Sequence, residues 1–305
     1  MAIVNIGSMN IDKVYGVEQF VTAGETISAT SYYENFGGKG LNQSVAIARA
    51  GAKVFHAGAV GTDGQCLLDF LQDSGVDTSL IRRADVKQGN ALIQVDANGQ
   101  NCIIVYGGSN AEVTKEDVDA VLSHFRSGDY LVLQNETSSL AYAVDAAYAR
   151  GLCTVLNASP VNEKLKDVDL GKLGWLMVNE IECCLLAGEE EPRRAFEVLT
   201  QKYPNLGVLM TLGAEGAWCA KNGETFRQPA FRAKAVDTTA AGDTFTGFFI
   251  GSLENGKPLP QALKTAAMAA SIAITRPGAA PSIPGIAEVE EALARVTQKG
   301  RPELK

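Results

Sequence analysis

Short, uninterrupted apolar runs, each too brief for a helix, recur along this chain and restrict its fold more than any other feature. They fall at residues 3–6, 54–59, 131–133, 154–156, 175–178 and 208–212. Between several of them the apolar residues step at helical spacing. Leu41, Val45 and Ala48 precede Gly51, and Leu140, Val144 and Ala147 precede Gly151, each glycine standing where a helix can end in the left-handed region. Strand and helix in alternation predict a mostly parallel sheet with helices on both faces. Strands buried on both sides read as continuous apolar runs, as these do.

Two segments depart from this rhythm. Residues 90–95 and 101–106 are strand-like, and Asn98-Gly99 between them predicts the positive φ angles of a tight hairpin turn. The stretch 13–34 mixes β-branched and aromatic residues and could pair with that hairpin as a small second sheet. Such an addition serves either as a lid over a site or as decoration, and the residues alone leave both open. Towards the C-terminus, residues 244–253 and 261–275 predict two helices, and the polar stretch 297–305 is expected to fray.

Composition narrows the function. Across 305 residues, 27 Lys and Arg against 35 Asp and Glu give a net charge of −8, which opposes binding to a phosphate backbone. The opening MAIVNIGSMN lacks a basic stretch followed by a long apolar one, and the expectation is a cytoplasmic protein without membrane or nucleic-acid partners. Six cysteines without a C-x-x-C pair, and two histidines, predict neither a zinc site nor a disulfide framework.

Two segments carry chemistry. In Asp237-Thr-Thr-Ala240-Ala241-Gly242-Asp243-Thr, small residues lead straight into a helix. Ala240, Ala241 and Gly242 can bring backbone N–H groups close to an anion at the positive end of that helix. Asp243 at its mouth, kept ionised by those groups, could take a proton from an attacking hydroxyl; an ordinary N-cap aspartate fits the same residues. The second segment, Asn35-Phe-Gly37-Gly38-Lys39-Gly40-Leu-Asn42-Gln43, has glycine where a Walker A motif needs Ser or Thr. It reads either as a grip on a polyhydroxylated ligand or as a tight loop ending in a helix. No G-x-G-x-x-G follows the first apolar run, where Gly7-Ser-Met-Asn10 stands instead, and this disfavours a dinucleotide-dependent oxidoreductase.

Together these segments resemble the two signatures of the PfkB sugar kinases. Gly7-Ser-Met-Asn10-Ile-Asp12, Gly24-Glu25-Thr26, Gly61-x-Asp63-Gly64, Asn179-Glu180-Ile-Glu182, Thr211-Leu-Gly213-x-x-Gly216 and Thr275-Arg-x-Gly278-Ala-x-Pro281-Ser282 follow the family's order and spacing across nearly the whole chain. The resemblance implies a three-layer α/β/α sandwich with a mostly parallel central sheet and a small β-sheet lid. Residues 1–9, 37–87 and 111–305 would form the large domain, and 10–36 with 88–110 the lid.

It also implies an ATP-dependent transfer of the γ-phosphate to a sugar primary hydroxyl, with D-ribose the leading acceptor and another sugar, a nucleoside or a non-catalytic sensor the alternatives. By the same resemblance Asn10, Asp12, Gly38, Lys39, Asn42 and Glu136 bind the sugar, Ile93 and Ile104 cover it, and Asp243 is the base. Ala240, Ala241 and Gly242 form the anion hole, while Asn179, Thr211, Gly213, Gly216 and Gly242 serve the nucleotide. Asn179 and Glu182 would hold Mg2+ through water, although a helix-entry cap fits them equally. Asp237, Thr239, Ala273, Arg276, Gly278 and Ser282 would surround a K+ ion, and two lids would clasp in a homodimer. Ala23, Ser109 and Pro277 depart from the family's usual Pro, Ala and Lys, the first two beside the lid.

Overall fold

A computed structural model of the chain describes residues 1–299. Its elements run β1 (Ile3–Ile6), β2 (Asn10–Gly16), β3 (Ser31–Gly37), α1 (Lys39–Arg49), β4 (Val54–Val60), α2 (Gln65–Asp73), β5 (Asp77–Arg83), β6 (Asn90–Val95) and β7 (Asn101–Tyr106). After α3 (Lys115–Leu122) come β8 (Tyr130–Gln134), α4 (Leu140–Ala149), β9 (Cys153–Asn157), β10 (Trp175–Asn179), α5 (Glu180–Ala187), α6 (Pro192–Lys202) and β11 (Gly207–Thr211). The order closes with β12 (Ala217–Lys221), β13 (Glu224–Gln228), α7 (Ala241–Glu254), α8 (Leu259–Ala273) and α9 (Ile286–Lys299). All six apolar runs are strands. The polar end expected from residue 297 continues α9 to Lys299, and the remainder lies outside the described residues.

Among the described residues a nine-stranded sheet has the order β13-β12-β11-β10-β9-β8-β1-β4-β5, parallel except for the antiparallel pairings of β12 with β11 and β13. Successive residues of one strand feed opposite cores. Ile3, Val132, Met177 and Leu209 pack with α1, α2, α7, α8 and α9, whereas Val4, Leu131, Leu176 and Val208 pack with α3, α4 and α6. This is the three-layer sandwich expected of a doubly covered parallel sheet. Gly51 and Gly151 follow the ends of α1 and α4 at φ 84° and 74°, the left-handed values their placement predicted.

The second sheet has four strands in the order β3-β2-β6-β7, with β2 and β6 parallel. Its hairpin turn differs from the sequence expectation. Only Gly99 of the Asn98-Gly99 pair has positive φ, and the Asp96 carboxylate accepts from the N–H groups of Asn98 and Gln100, both at 2.9 Å. Asp96 thus supplies a local acceptor, and a three-residue loop with one left-handed glycine replaces the two-residue turn.

Candidate active site

The site is built where the N-termini of α1 and α7 meet above the C-terminal ends of β1, β8, β10 and β11. Glycines set this approach. A Cβ at Gly247 of α7 would lie 2.3 Å from Ala46 Cβ of α1, and one at Gly40 would lie 2.4 Å from the Ser8 nitrogen. The two helices therefore pack closer than side chains would permit, and α1 presses its first turn onto the β1–β2 connection.

That contact fixes Asp243, a buried residue in the first turn of α7. Asn42 Nδ2 donates to Asp243 Oδ2 at 3.0 Å, and Gln43 Nε2 donates to Oδ1 at 2.9 Å. Burial raises the Asp243 pKa above the ordinary carboxylate value, against the opposing pull of Lys39, Gln43 and Asn42. The side-chain groups that hold it are amides, not the helix N–H groups expected to keep it ionised, and burial works to strengthen its hold on a proton. Ala240, expected to help form an N–H nest, is the N-cap of α7 in the left-handed region at φ 59°. The Ala241 N–H points to the Thr238 carbonyl at 3.2 Å. At Gly242 a Cβ would meet nothing within 4 Å, so this position opens onto free space.

A cluster of polar groups stands beside Asp243. Lys39 Nζ donates to Glu136 Oε1 at 3.0 Å, while the Lys39 backbone N–H and the Ser8 hydroxyl donate to Glu136 Oε2 at 3.1 and 2.5 Å. Burial alone would lower the Lys39 pKa, but Glu136 and Asp243 raise it on balance. Asp12 is pushed up to about 7, first by desolvation and then by Glu136, with Lys39 opposing. Its carboxylate occupies the space beside Gly37, where a Cβ would come within 2.0 Å of Oδ2. Gly38 enters α1 at φ 91°, so both glycines are required by geometry. Asn10 Oδ1 accepts from Asn110 Nδ2 at 2.8 Å, and Asn42 Oδ1 is buried without a partner among the described residues. The sequence reading assigned no role to Ser8 or Asn110. Ser8 lies inside the Gly7-Ser-Met-Asn10 motif and meets Glu136, while Asn110 reaches Asn10 from a hundred residues away.

Next to this cluster lies a cavity of about 210 Å³ lined by Lys39, Asn179, Glu182, Thr211, Gly242 and Asp243, among others. It shares Thr211, Thr238, Ala241 and Gly242 with a larger one of about 750 Å³, whose lining includes Gly213, Gly216, Phe231 and Ile274. The larger volume lies in the range of small-ligand and cofactor sites. Gly216, at φ 109°, could not carry a side chain, since a Cβ would lie 2.0 Å from the Gln228 carbonyl oxygen. Asn179 and Glu182 form a capping box at the head of α5: Asn179 Oδ1 accepts from the Glu182 N–H at 2.8 Å and Glu182 Oε2 from the Asn179 N–H at 3.0 Å. The cap and the cavity wall are thus one feature. Among the described residues no group of three or more His, Cys, Asp and Glu could hold a metal ion.

Of the six residues assigned to a monovalent cation, three are joined directly. Asp237 Oδ1 accepts from the N–H and hydroxyl of Thr239 at 2.9 and 2.6 Å, and Oδ2 accepts from the Gly278 N–H at 2.9 Å. Desolvation works against ionisation, but these bonds hold the Asp237 carboxyl below its ordinary pKa. Ala273 closes α8 one residue before Ile274, whose carbonyl accepts from the Asp237 N–H. The Arg276 side chain pairs with Glu288, and the Ser282 hydroxyl donates to the Ala279 carbonyl.

The lid pair requires a correction. Ile93 is opposite Val14 and Ile103 in the small sheet, in the alternation that includes Asp12, whereas Ile104 is opposite Leu92 on the other face. Strand residues of opposite parity cannot cover one ligand. Ile103, not Ile104, therefore shares the face of Ile93.

A buried carboxylate thus lines the smaller cavity, with a polar cluster beside it and a larger cavity sharing part of its wall. The sequence matches the pfkB family carbohydrate kinase description over residues 2–286, and the chain belongs to that family. It is 35% identical over 304 residues to the ribokinase of Staphylococcus aureus, covering 95% of this chain and 98% of that one. Among solved structures, Thermotoga maritima ribokinase superposes with a TM-score of 0.87 at 33% identity, covering 96% of this chain and 99% of that one. Arabidopsis thaliana ribokinase complexed with ribose and ATP gives 0.84 at 30% identity, with the same coverages of 96% and 99%.

Proposed function

We propose that this carbohydrate kinase phosphorylates D-ribose at its primary hydroxyl, using ATP. The observation that supports the reading is Asp243, gripped by Asn42 and Gln43 and lining the smaller cavity, which shares Thr211, Thr238, Ala241 and Gly242 with the larger one. Asp12, Asn10, Lys39, Asn42 and Glu136 would hold the ring hydroxyls, carboxylates accepting their hydrogens and amides matching neighbouring donors and acceptors. Asp243 takes the proton of the attacking hydroxyl. The new O–P bond forms at the γ-phosphorus as the bond to the bridging oxygen breaks, and ADP leaves. Gly242, with open space before it at the head of α7, lets the transferred phosphoryl group approach the unsatisfied N–H groups and positive end of the helix. Glu182 and Asn179 would hold Mg2+ through water against the phosphates, where the ion would offset their charge. Asp237, with the carbonyls of the turn after α8, would hold K+, a fixed positive charge beside the segment leading into α7.

The test is ADP release with Mg-ATP against ribose, 2-deoxyribose, other pentoses, fructose, ketodeoxygluconate and nucleosides, with and without K+. Fastest turnover on ribose, stimulated by K+, is expected. Turnover confined to another acceptor overturns the choice of ribose, and equal rates without K+ overturn the cation site. Asp243→Asn should lower kcat by about a hundredfold or more with ATP binding retained. Near-normal turnover in that variant would remove Asp243 from the role of base.

A further inference from the structure

Behind Asp243 the structure contains a buried chain of amides, of which the mechanism above uses Gln43 alone. Asn5 on β1, Gln134 on β8 and Gln43 and Ser44 on α1 are all buried, as is His56 on β4 opposite Asn5. Asn5 Nδ2 donates to the Gly40 carbonyl and to Ser44 Oγ, both at 2.8 Å. Gln134 Nε2 donates to Asn5 Oδ1 at 3.0 Å and to Gln43 Oε1 at 2.8 Å, and Gln43 Nε2 completes the line at Asp243 Oδ1. Ser44 Oγ lies 2.8 Å from His56 Nδ1.

The direction of this line is fixed by its far end. A backbone carbonyl only accepts, so Asn5 must turn its nitrogen to Gly40 and its oxygen to Gln134. Gln134 must then present its nitrogen to both neighbours, and Gln43, its oxygen engaged, has only N–H left for Asp243. Gly7 gives Gln134 room, since a Cβ there would lie 2.6 Å from Gln134 Oε1. That oxygen has no partner among the described residues, a cost that an apolar side chain at the position would avoid.

We propose that Gln43 is a positioning residue for Asp243, its amide locked in the donating sense by Gly40 acting through Asn5 and Gln134. The inference rests on the reading of Asp243 as the base. Released from Gln134, Gln43 could rotate and set its oxygen against the carboxylate, which would tolerate that contact only when protonated. The charged groups coupled to Asp243 are Lys39 and Glu136; Asp12 on β2 couples to both of these, and Glu182 on α5 to Lys39. None of them is altered in the variants below.

Gln134→Met keeps the bulk of the side chain and removes the donor. Gln43→Glu places a second carboxyl against Asp243. The Asp243 carboxyl carbon is followed by carbon-13 NMR across pH in the ligand-free full-length protein, alongside the acid limb of the kcat profile. In Gln134→Met both titrations should move to higher pH by about half a unit or more, and in Gln43→Glu by about a unit or more, with the KM for ATP within about twofold of wild type. Folded variants whose Asp243 titrates as in wild type would overturn the proposal. Should Gln134→Met not fold, Gln43→Glu decides alone. Should the wild type turn over no sugar, the functional reading falls while the NMR titration still decides the relay.

Discussion

Asp12 joins stability to function at the level of one side chain. Its pKa stands at about 7 in the fold against an ordinary 3.8, raised by burial and by Glu136. A carboxyl raised by folding contributes stability that is fully present below its unfolded value and is lost as pH rises through its folded value. Between about pH 4 and 7 the folded protein therefore holds a proton that the unfolded chain releases, and above 7 the ionised Asp12 costs stability. Asp12→Asn should show a melting temperature that gains on wild type as pH rises from 4 to 8, while sugar phosphorylation falls sharply. An unchanged difference in melting temperature across that range would refute the assignment. In wild type, the KM for the sugar should fall as pH rises through 7, because the ionised carboxylate is the stronger acceptor. His56, pushed down to about 4 by its complete burial, acts in the opposite sense between pH 4 and 6.5, so the comparison must be made between variant and wild type and not on wild type alone.

At the scale of elements, what matters is how close α1 and α7 come. A methyl group at Gly247 has no room against Ala46 Cβ and Ile47 N, at 2.3 and 2.9 Å. Gly247→Ala should cost about 1–3 kcal/mol in urea unfolding and lower turnover by drawing Asn42 and Gln43 away from Asp243. Gly242→Ala is the contrast: nothing lies near its Cβ, so stability should hold while turnover falls, because the methyl group enters the space meant for phosphate. Equal stability losses in the two would show that the interhelical contact is not what fixes Asp243. The six strands of the apolar runs and the helices closed by Gly51 and Gly151 were legible because each run and each closing glycine is a local signal, whereas α2, α3, α6, α9, β5, β12 and β13 went unread. The Gly-Lys-Gly and Ala-Ala-Gly-Asp segments were legible as chemistry because their residues are contiguous. Gln134 and Asn110 were not, because their partners lie far along the chain and such contacts leave no spacing to read, and Ser8, although inside the Gly7-Ser-Met-Asn10 motif, gave no sign of its bond to Glu136. The Ile104 error has the same root: strand register, not residue type, decides which face a side chain takes.

For the whole molecule the open question is the edge of the small sheet. Among the described residues strand β7 pairs only with β6, and Ile103, Ile104, Val105 and Tyr106 on it are each at least half exposed, with Tyr32 and Tyr33 similarly bare on the far strand β3. An apolar edge strand without charge or proline is an open template for pairing, and proteins rarely leave one unprotected. A second copy of the same sheet is the simplest cover consistent with a chain carrying a net charge of −8, because β7 itself contains no charged residue. We therefore expect a homodimer at micromolar concentration by light scattering, and a monomeric mass for the wild type would reject it. Ile104 is the residue with which to break it. It projects from the face opposite Asp12, so Ile104→Lys burdens the lid's outer surface without entering the sugar space. If the small sheet closes over the sugar as proposed, the variant should run as a monomer with the KM for ATP unchanged and the KM for sugar raised, since a sheet without its partner is held less firmly. A dimeric Ile104→Lys with normal sugar binding would place the interface elsewhere and leave β7 exposed.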